Sequence, residues 1–147
     1  MIVYLDTSVI LSRFLGQPNM LSSWGGWERV YTSIITRVEY LRTVDRLRLQ
    51  GSIDDEARVE LNTRFESLWR AIFRVPLAES ILTRAAQSFP TVIGTLDALH
   101  LASALAARSD APGELTVLTH DQQFGRAASA LGLRVVGLGC DDQNLRP

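Results

Sequence analysis

Short apolar and β-branched runs recur along this chain, and each is followed by a segment with helical spacing. Ile2–Leu5 and Leu115–Thr119 are the clearest of these runs. A strand without polar alternation is buried on both faces, which calls for parallel pairing and helices on either side of the sheet. Val30–Thr32, Phe73–Val75 and Arg134–Val136 read as further short strands, with Pro76 ending the middle one. Helical patterns occupy Val9–Leu15, a stretch from a Ser33 cap to about Gln50 with Gly51 as its stop, and a stretch capped by Asp54 or Asp55. They resume over Ala78–Phe89, from a Thr95 cap to about Arg108, and over Gln122–Leu131 with Gly132 as the stop. Ile34, Val38, Leu41 and Val44 mark the expected buried stripe of the second helix, and Leu61, Phe65, Leu68 and Ile72 that of the third. The alternation predicts an α/β fold, a three-layer α/β/α sandwich around a central, mostly parallel sheet of four or five short strands. With 147 residues and no repeat or linker, residues 1–147 are expected to form one domain.

Composition removes several chemistries. All 15 basic residues are Arg, so a Walker loop, a Schiff-base lysine and a Ser–Lys dyad are excluded. The net charge of −1 argues against a cationic surface that wraps nucleic acid, so a polyanionic substrate needs a local site with a metal ion. Cys140 is the only cysteine; no internal disulfide can form, and it reads as structural or incidental. No basic leader with an apolar run opens the chain and no run approaches a membrane span, so a cytoplasmic location is expected.

The acids are placed unusually. Ligand crevices of open parallel sheets lie at the carboxyl ends of the strands. Asp6 directly follows the first strand and Asp121 comes two residues after Thr119, so both should face one crevice. Glu39 lies in a helix whose other middle positions are largely apolar or Arg, and Asp97 in the apolar "GTLDALHLASAL". Helix capping is a competing account for Asp97, whose first-turn position suits an anion, and an ion pair with Arg42 or Arg46 is one for Glu39. Capping explains one acid and not the set. Four converging carboxylates repel, and protonation or a divalent cation relieves them. Oxygen ligands without a Cys or a His pair suit Mg²⁺ or Mn²⁺ rather than zinc. Such an ion best serves hydrolysis of a phosphodiester.

Asp6-Thr7-Ser8 after an N-terminal strand, Glu39 in a mid-chain helix, "LDALHLASA" around Asp97 and "LTHDQQF" around Asp121 together resemble the PIN domain, in its VapC-type toxin branch. The resemblance spans nearly the whole chain. It implies a metal-dependent endoribonuclease in which Asp6, Glu39, Asp97 and Asp121 hold Mg²⁺ or Mn²⁺. It also implies that Ser8 bonds an acid, a water or the scissile phosphate, that Thr119 fixes Asp121 or its loop, and that Phe124 packs. An RNA substrate, a cognate antitoxin and a homodimer are the partners it implies, with no membrane. The apolar helices between Ser33 and Phe89 would offer the antitoxin its groove.

The remaining candidates read more plainly. His100, one turn after Asp97, is expected to be a satisfied core histidine, and Trp24 and Trp27 of "WGGW" to pack. His120 adjoins Asp121, and adjacent residues often point apart. Arg42, Arg46 and Arg48 could form a local phosphate track. A receiver domain lacks its lysine here, and a haloacid-dehalogenase-like phosphatase would need a second Asp at Ser8. A PIN nuclease of RNA processing and a non-catalytic PIN-like binding module stay open as alternatives.

Overall fold

A computed structural model describes residues 1–21 and 24–139; Cys140 lies outside the described residues. Five strands form one sheet in the order β3-β2-β1-β4-β5: β1 (Ile2–Leu5), β2 (Arg29–Ser33), β3 (Phe73–Val75), β4 (Leu115–Leu118) and β5 (Arg134–Val136). Every pairing is parallel, so the sheet is wholly rather than mostly so. The helices are α1 (Thr7–Phe14), α2 (Thr36–Leu49), α3 (Asp55–Ala71), α4 (Glu79–Ala86), α5 (Thr95–Asp110) and α6 (Gln122–Ala130).

Period-two alternation along β1 divides the core in two. Val3 and Leu5 join Val9, Ile10, Tyr40, Val44, Phe65 and Trp69 on the face covered by α1, α2 and α3. Ile2 and Tyr4 join Leu101, Ala104, Phe124 and Ala127 on the face covered by α5 and α6. On the first face Tyr40 stacks on Phe65 at 4.1 Å between ring centroids, and Phe65 on Trp69 at 5.5 Å. Trp24 and Trp27 lie edge to face at 5.1 Å and pack against this cluster, as the packing reading expected.

Several local expectations change. Ser33 ends β2 and does not cap α2, whose N-cap is Ile35; the Ser33 hydroxyl accepts instead from Ser103, at 3.1 Å. Thr95 is the first residue of α5, with Gly94 as its N-cap. A hydroxyl residue at the end of a strand and one at the start of a helix read alike in sequence, and tertiary partners decide between them. The buried stripe of α2 is Thr36, Tyr40 and Val44, while Ile34 and Val38 are exposed. The helix at 78–89 is shorter than expected, ending at Ala86. Asp54 is the cap of α3, accepting from the Ala57 amide at 2.8 Å.

β1 lies between β2 and β4, with connections leaving to opposite sides, so the carboxyl ends of β1 and β4 form the topological switch point. The Asp6 amide prolongs this pairing by donating to Leu118 O at 3.0 Å. The crevice of the molecule is thereby placed between the β1–α1 and β4–α6 turns.

Candidate active site

In a parallel α/β fold each helix that follows a strand starts at the strand's carboxyl end. Acids at those starts therefore meet on one edge of the sheet, and α5, which follows α4, starts at that edge because it runs back to lead into β4. Asp6 is the N-cap of α1 and Asp121 the N-cap of α6, while Glu39 and Asp97 lie in the first turns of α2 and α5. Capping and clustering are thus one arrangement here, since the helix starts supply favourable dipoles to the same acids.

Two hydrogen-bond networks hold three of these acids. In the first, Asp6 Oδ2 accepts from the Ser8 hydroxyl and, at 2.8 Å, from the Thr119 hydroxyl. Thr119 Oγ1 in turn accepts from the Asp121 amide at 2.9 Å, and Ser8 Oγ from the His120 amide at 3.0 Å. Asp121 Oδ1 accepts from the Phe124 amide at 2.8 Å. Gly137 closes over this turn with φ +104°, and His120 Nδ1 lies 2.8 Å from its carbonyl. The structure thus brings Asp6, Ser8, Thr119 and Asp121 together, with Thr119 fully buried.

In the second network Glu39 Oε2 accepts from Thr7 Oγ1 and from His100 Nε2, the latter at 2.7 Å. Tyr4 Oη lies 2.9 Å from His100 Nδ1. Glu39 therefore does not pair with Arg42, which faces Asp45 at 3.5 Å. Arg48 also faces Asp45, at 3.3 Å, so two members of the suggested phosphate track are engaged within the protein. Burial pushes the Glu39 carboxyl up, but the His100 and Thr7 bonds outweigh it and hold the carboxyl below its ordinary value. Burial likewise opposes charge on His100, yet Glu39 and the fields of Asp6 and Asp97 raise it. Both directions record the close pairing of the Glu39 carboxylate with His100 Nε2.

Asp97 belongs to neither network and accepts no hydrogen bond among the described residues. Burial raises its carboxyl first, then Asp121 and Asp6; His100 opposes them and Glu39 adds a little. All four acids therefore share one electrostatic neighbourhood. Among the described residues no Arg or His pairs with Asp6, Asp97 or Asp121. Nor do three His, Cys, Asp or Glu side chains among them form a ready-made metal cage. Thr7 and the coupling of His100 to Glu39 are what sequence reasoning missed. The signals were their positions, directly after Asp6 and one turn after Asp97.

Comparison with known proteins bears on this geometry. The PIN-domain family model matches residues 3–130. Ribonuclease VapC35 of Mycobacterium tuberculosis is 31% identical over 144 residues, covering 93% of this chain and 97% of its own. Among solved structures, a chain of a toxin–antitoxin complex from Klebsiella pneumoniae aligns with a TM-score of 0.63 at 17% identity, covering 91% of this chain and 95% of that one. VapBC2 from Rickettsia felis, bound to a DNA fragment from their promoter, aligns with a TM-score of 0.63 at 15% identity, covering 92% and 98%. The two structures speak for the fold, and the family model and VapC35 for descent. The chain belongs to the PIN-domain family, among its VapC-type ribonucleases.

Proposed function

We propose that this chain is an endoribonuclease that hydrolyses RNA phosphodiester bonds with Mg²⁺ or Mn²⁺ and acts as the toxin of a toxin–antitoxin pair. Asp6, Glu39, Asp97 and Asp121 are its metal-holding carboxylates, with Ser8 and Thr119 as their hydroxyl partners. The observation that carries this reading is an acidic crevice in which Asp97 feels three other carboxylates and no arginine pairs with Asp6, Asp97 or Asp121 among the described residues.

The donor set fits such an ion. The four acids offer only oxygens, and both nitrogens of His100 are already engaged, while the buried His120 Nε2 has no partner among the described residues. Asp6 Oδ1, Glu39 Oε1 and Asp121 Oδ2 have no protein donor among the described residues, because each acid is held through its other oxygen. Mg²⁺ keeps several waters and typically takes one or two carboxylates plus substrate phosphate oxygens, so a closed protein cage is not required. When bound, such an ion polarises a phosphate oxygen and lowers the pKa of an attacking water. The chain's own part is to fix the acids. Ser8 and Thr119 orient Asp6, the Phe124 amide orients Asp121, and Thr7 and His100 orient Glu39. Asp97, raised and without a donor, gains most from a neutralising cation. Products with 5′-phosphate and 3′-hydroxyl ends are expected.

An antitoxin is the expected protein partner, on the helices between Ser33 and Phe89. Support comes from α2 and α3, which leave Val38 and Val59 exposed. A homodimer acting in the cytoplasm completes the proposal; no helix among the described residues is long and apolar enough to cross a membrane. The test is RNA cleavage with Mn²⁺ by Asp6→Asn and Asp97→Asn. Each should lose activity, and full activity in both would overturn the reading. Calorimetric titration with Mn²⁺ separates it from a non-catalytic binding module, for which no saturable binding near neutral pH is expected.

A further inference from the structure

We infer that His100 is a positioning residue for Glu39: Tyr4 sets its tautomer, its Nε2–H holds Glu39 Oε2, and Oε1 is thereby left as the oxygen offered to the crevice. The inference rests on the proposed metal-dependent reading and adds a role for residues outside the acidic set.

The geometry leaves His100 little freedom. It is 2% exposed, and its ring meets Tyr4 edge to face at 6.2 Å and Phe124 at 6.1 Å. A carboxylate only accepts hydrogen bonds, so the nitrogen 2.7 Å from Glu39 Oε2 carries the proton. In the neutral ring Nδ1 is then the acceptor, and the Tyr4 hydroxyl at 2.9 Å fills it. Thr7 donates to the same Oε2. Two donors on one oxygen and none on the other fix both the direction and the open lone pairs of the carboxylate.

The connections explain why this matters to the whole crevice. Tyr4 comes two residues before Asp6 and Thr7 directly after it, and His100 is three residues beyond Asp97. Glu39 comes from a different layer element, α2. The chain Tyr4–His100–Glu39–Thr7 therefore ties Glu39 to the two elements that carry Asp6 and Asp97. A buried histidine that served only to fill space would need none of these bonds. Leucine could fill the same volume without a polar atom to satisfy.

The test uses purified protein with three readouts: Mn²⁺ affinity by calorimetry, melting temperature without metal, and the long-range ¹H–¹⁵N spectrum of the imidazoles. Outer partners of metal ligands typically contribute about 10–100-fold in affinity, and His100→Leu should weaken Mn²⁺ binding by that factor. His100→Gln keeps an N–H at the same reach and should recover affinity to within about threefold of wild type. Tyr4→Phe should weaken binding less, since Thr7 and the ring remain. Mn²⁺ affinity unchanged in His100→Leu, or equally poor in folded His100→Gln and His100→Leu, would overturn the inference. If His100→Leu does not fold, the wild-type spectrum decides. A ring protonated at Nε2 with Nδ1 accepting supports the relay, and a neutral ring protonated at Nδ1 overturns it. Absence of saturable Mn²⁺ binding in the wild type would instead sink the proposed function itself.

Discussion

Thr119→Val is the sharpest probe of how the crevice is built, because it keeps the shape and removes one hydroxyl. Thr119 is fully buried at the end of β4. Its Oγ1 donates to Asp6 Oδ2 at 2.8 Å and accepts from the Asp121 amide at 2.9 Å. The first bond has a charged acceptor, a class that contributes about 1.5–3 kcal/mol; losing the second leaves an amide unpaired at about 1–3 kcal/mol. Two features reduce the sum. Ser8 still donates to the same oxygen of Asp6, and Asp121 is exposed enough for water to reach its turn. A loss of about 2–3 kcal/mol follows. At about 2–4 °C per kcal/mol for a chain of this size, the melting temperature should fall by about 4–12 °C. Thermal unfolding by circular dichroism without metal reads this directly, and Thr119→Ser, which keeps the hydroxyl, should recover most of it. A Thr119→Val protein melting within about 2 °C of wild type would refute the reasoning. So would a serine variant that falls as far as the valine.

Two further predictions follow from other parts of the same edge. Gly137→Ala should cost stability and RNA cleavage together, since a Cβ there would lie 2.6 Å from Thr119 O and 3.3 Å from His120 Nδ1, and φ is +104°. Melting and cleavage assays on one preparation check this, and an alanine variant with both properties intact would count against the close approach. Alkaline pH should unfold the protein cooperatively, because burial holds the Tyr4 hydroxyl well above its ordinary 10.0 and pushes Tyr40 up to about 12. Both folded values exceed the unfolded one, so their stability is complete below pH 10 and declines as pH rises toward and beyond 12. Denaturant melts between pH 9 and 12 measure the slope, and Tyr4→Phe should flatten it.

The elements were legible where one physical signal dominated. Ile2–Leu5 and Leu115–Leu118 are buried on both faces, and runs without polar alternation say so directly. Even Phe73–Val75, a three-residue edge strand with Phe73 exposed, was marked by Pro76. Caps were harder. Ser33 and Thr95 carry the right chemistry, but Ser103 occupies the one and Gly94 takes the other's place. Half of the stripe expected for α2 holds, with Val44 buried and Leu41 packed against the core, whereas Ile34 and Val38 look like core and face outward and the amphipathic Thr36 and Tyr40 are buried instead. In the crevice, the acids themselves stood out by following strands or interrupting apolar helices. What holds them did not, because His100 reaches Glu39 across 61 positions and Thr119 reaches Asp6 across 113.

That division has a physical basis. The placement of the acids is a consequence of local order, strand then turn then helix, and such order is written in neighbouring residues. Their tolerance of one another is a tertiary property. Asp6 and Asp121 cap helices, while Glu39 and Asp97 occupy first turns, so four helix dipoles face the same acids. Each dipole contributes about 0.3–1 kcal/mol. Two like charges a few ångströms apart near a protein surface repel by about 4 kcal/mol. Helix starts would not balance such a pair, and hydrogen bonds from Ser8, Thr119, Thr7 and His100 stabilise only one oxygen of each acid they touch. Asp97 receives neither a bond nor a paired arginine among the described residues, and its carboxyl is raised first by burial and then by Asp121 and Asp6. On the proposed reading, the outer oxygens and the charge that these bonds leave uncompensated are what an added divalent cation would neutralise.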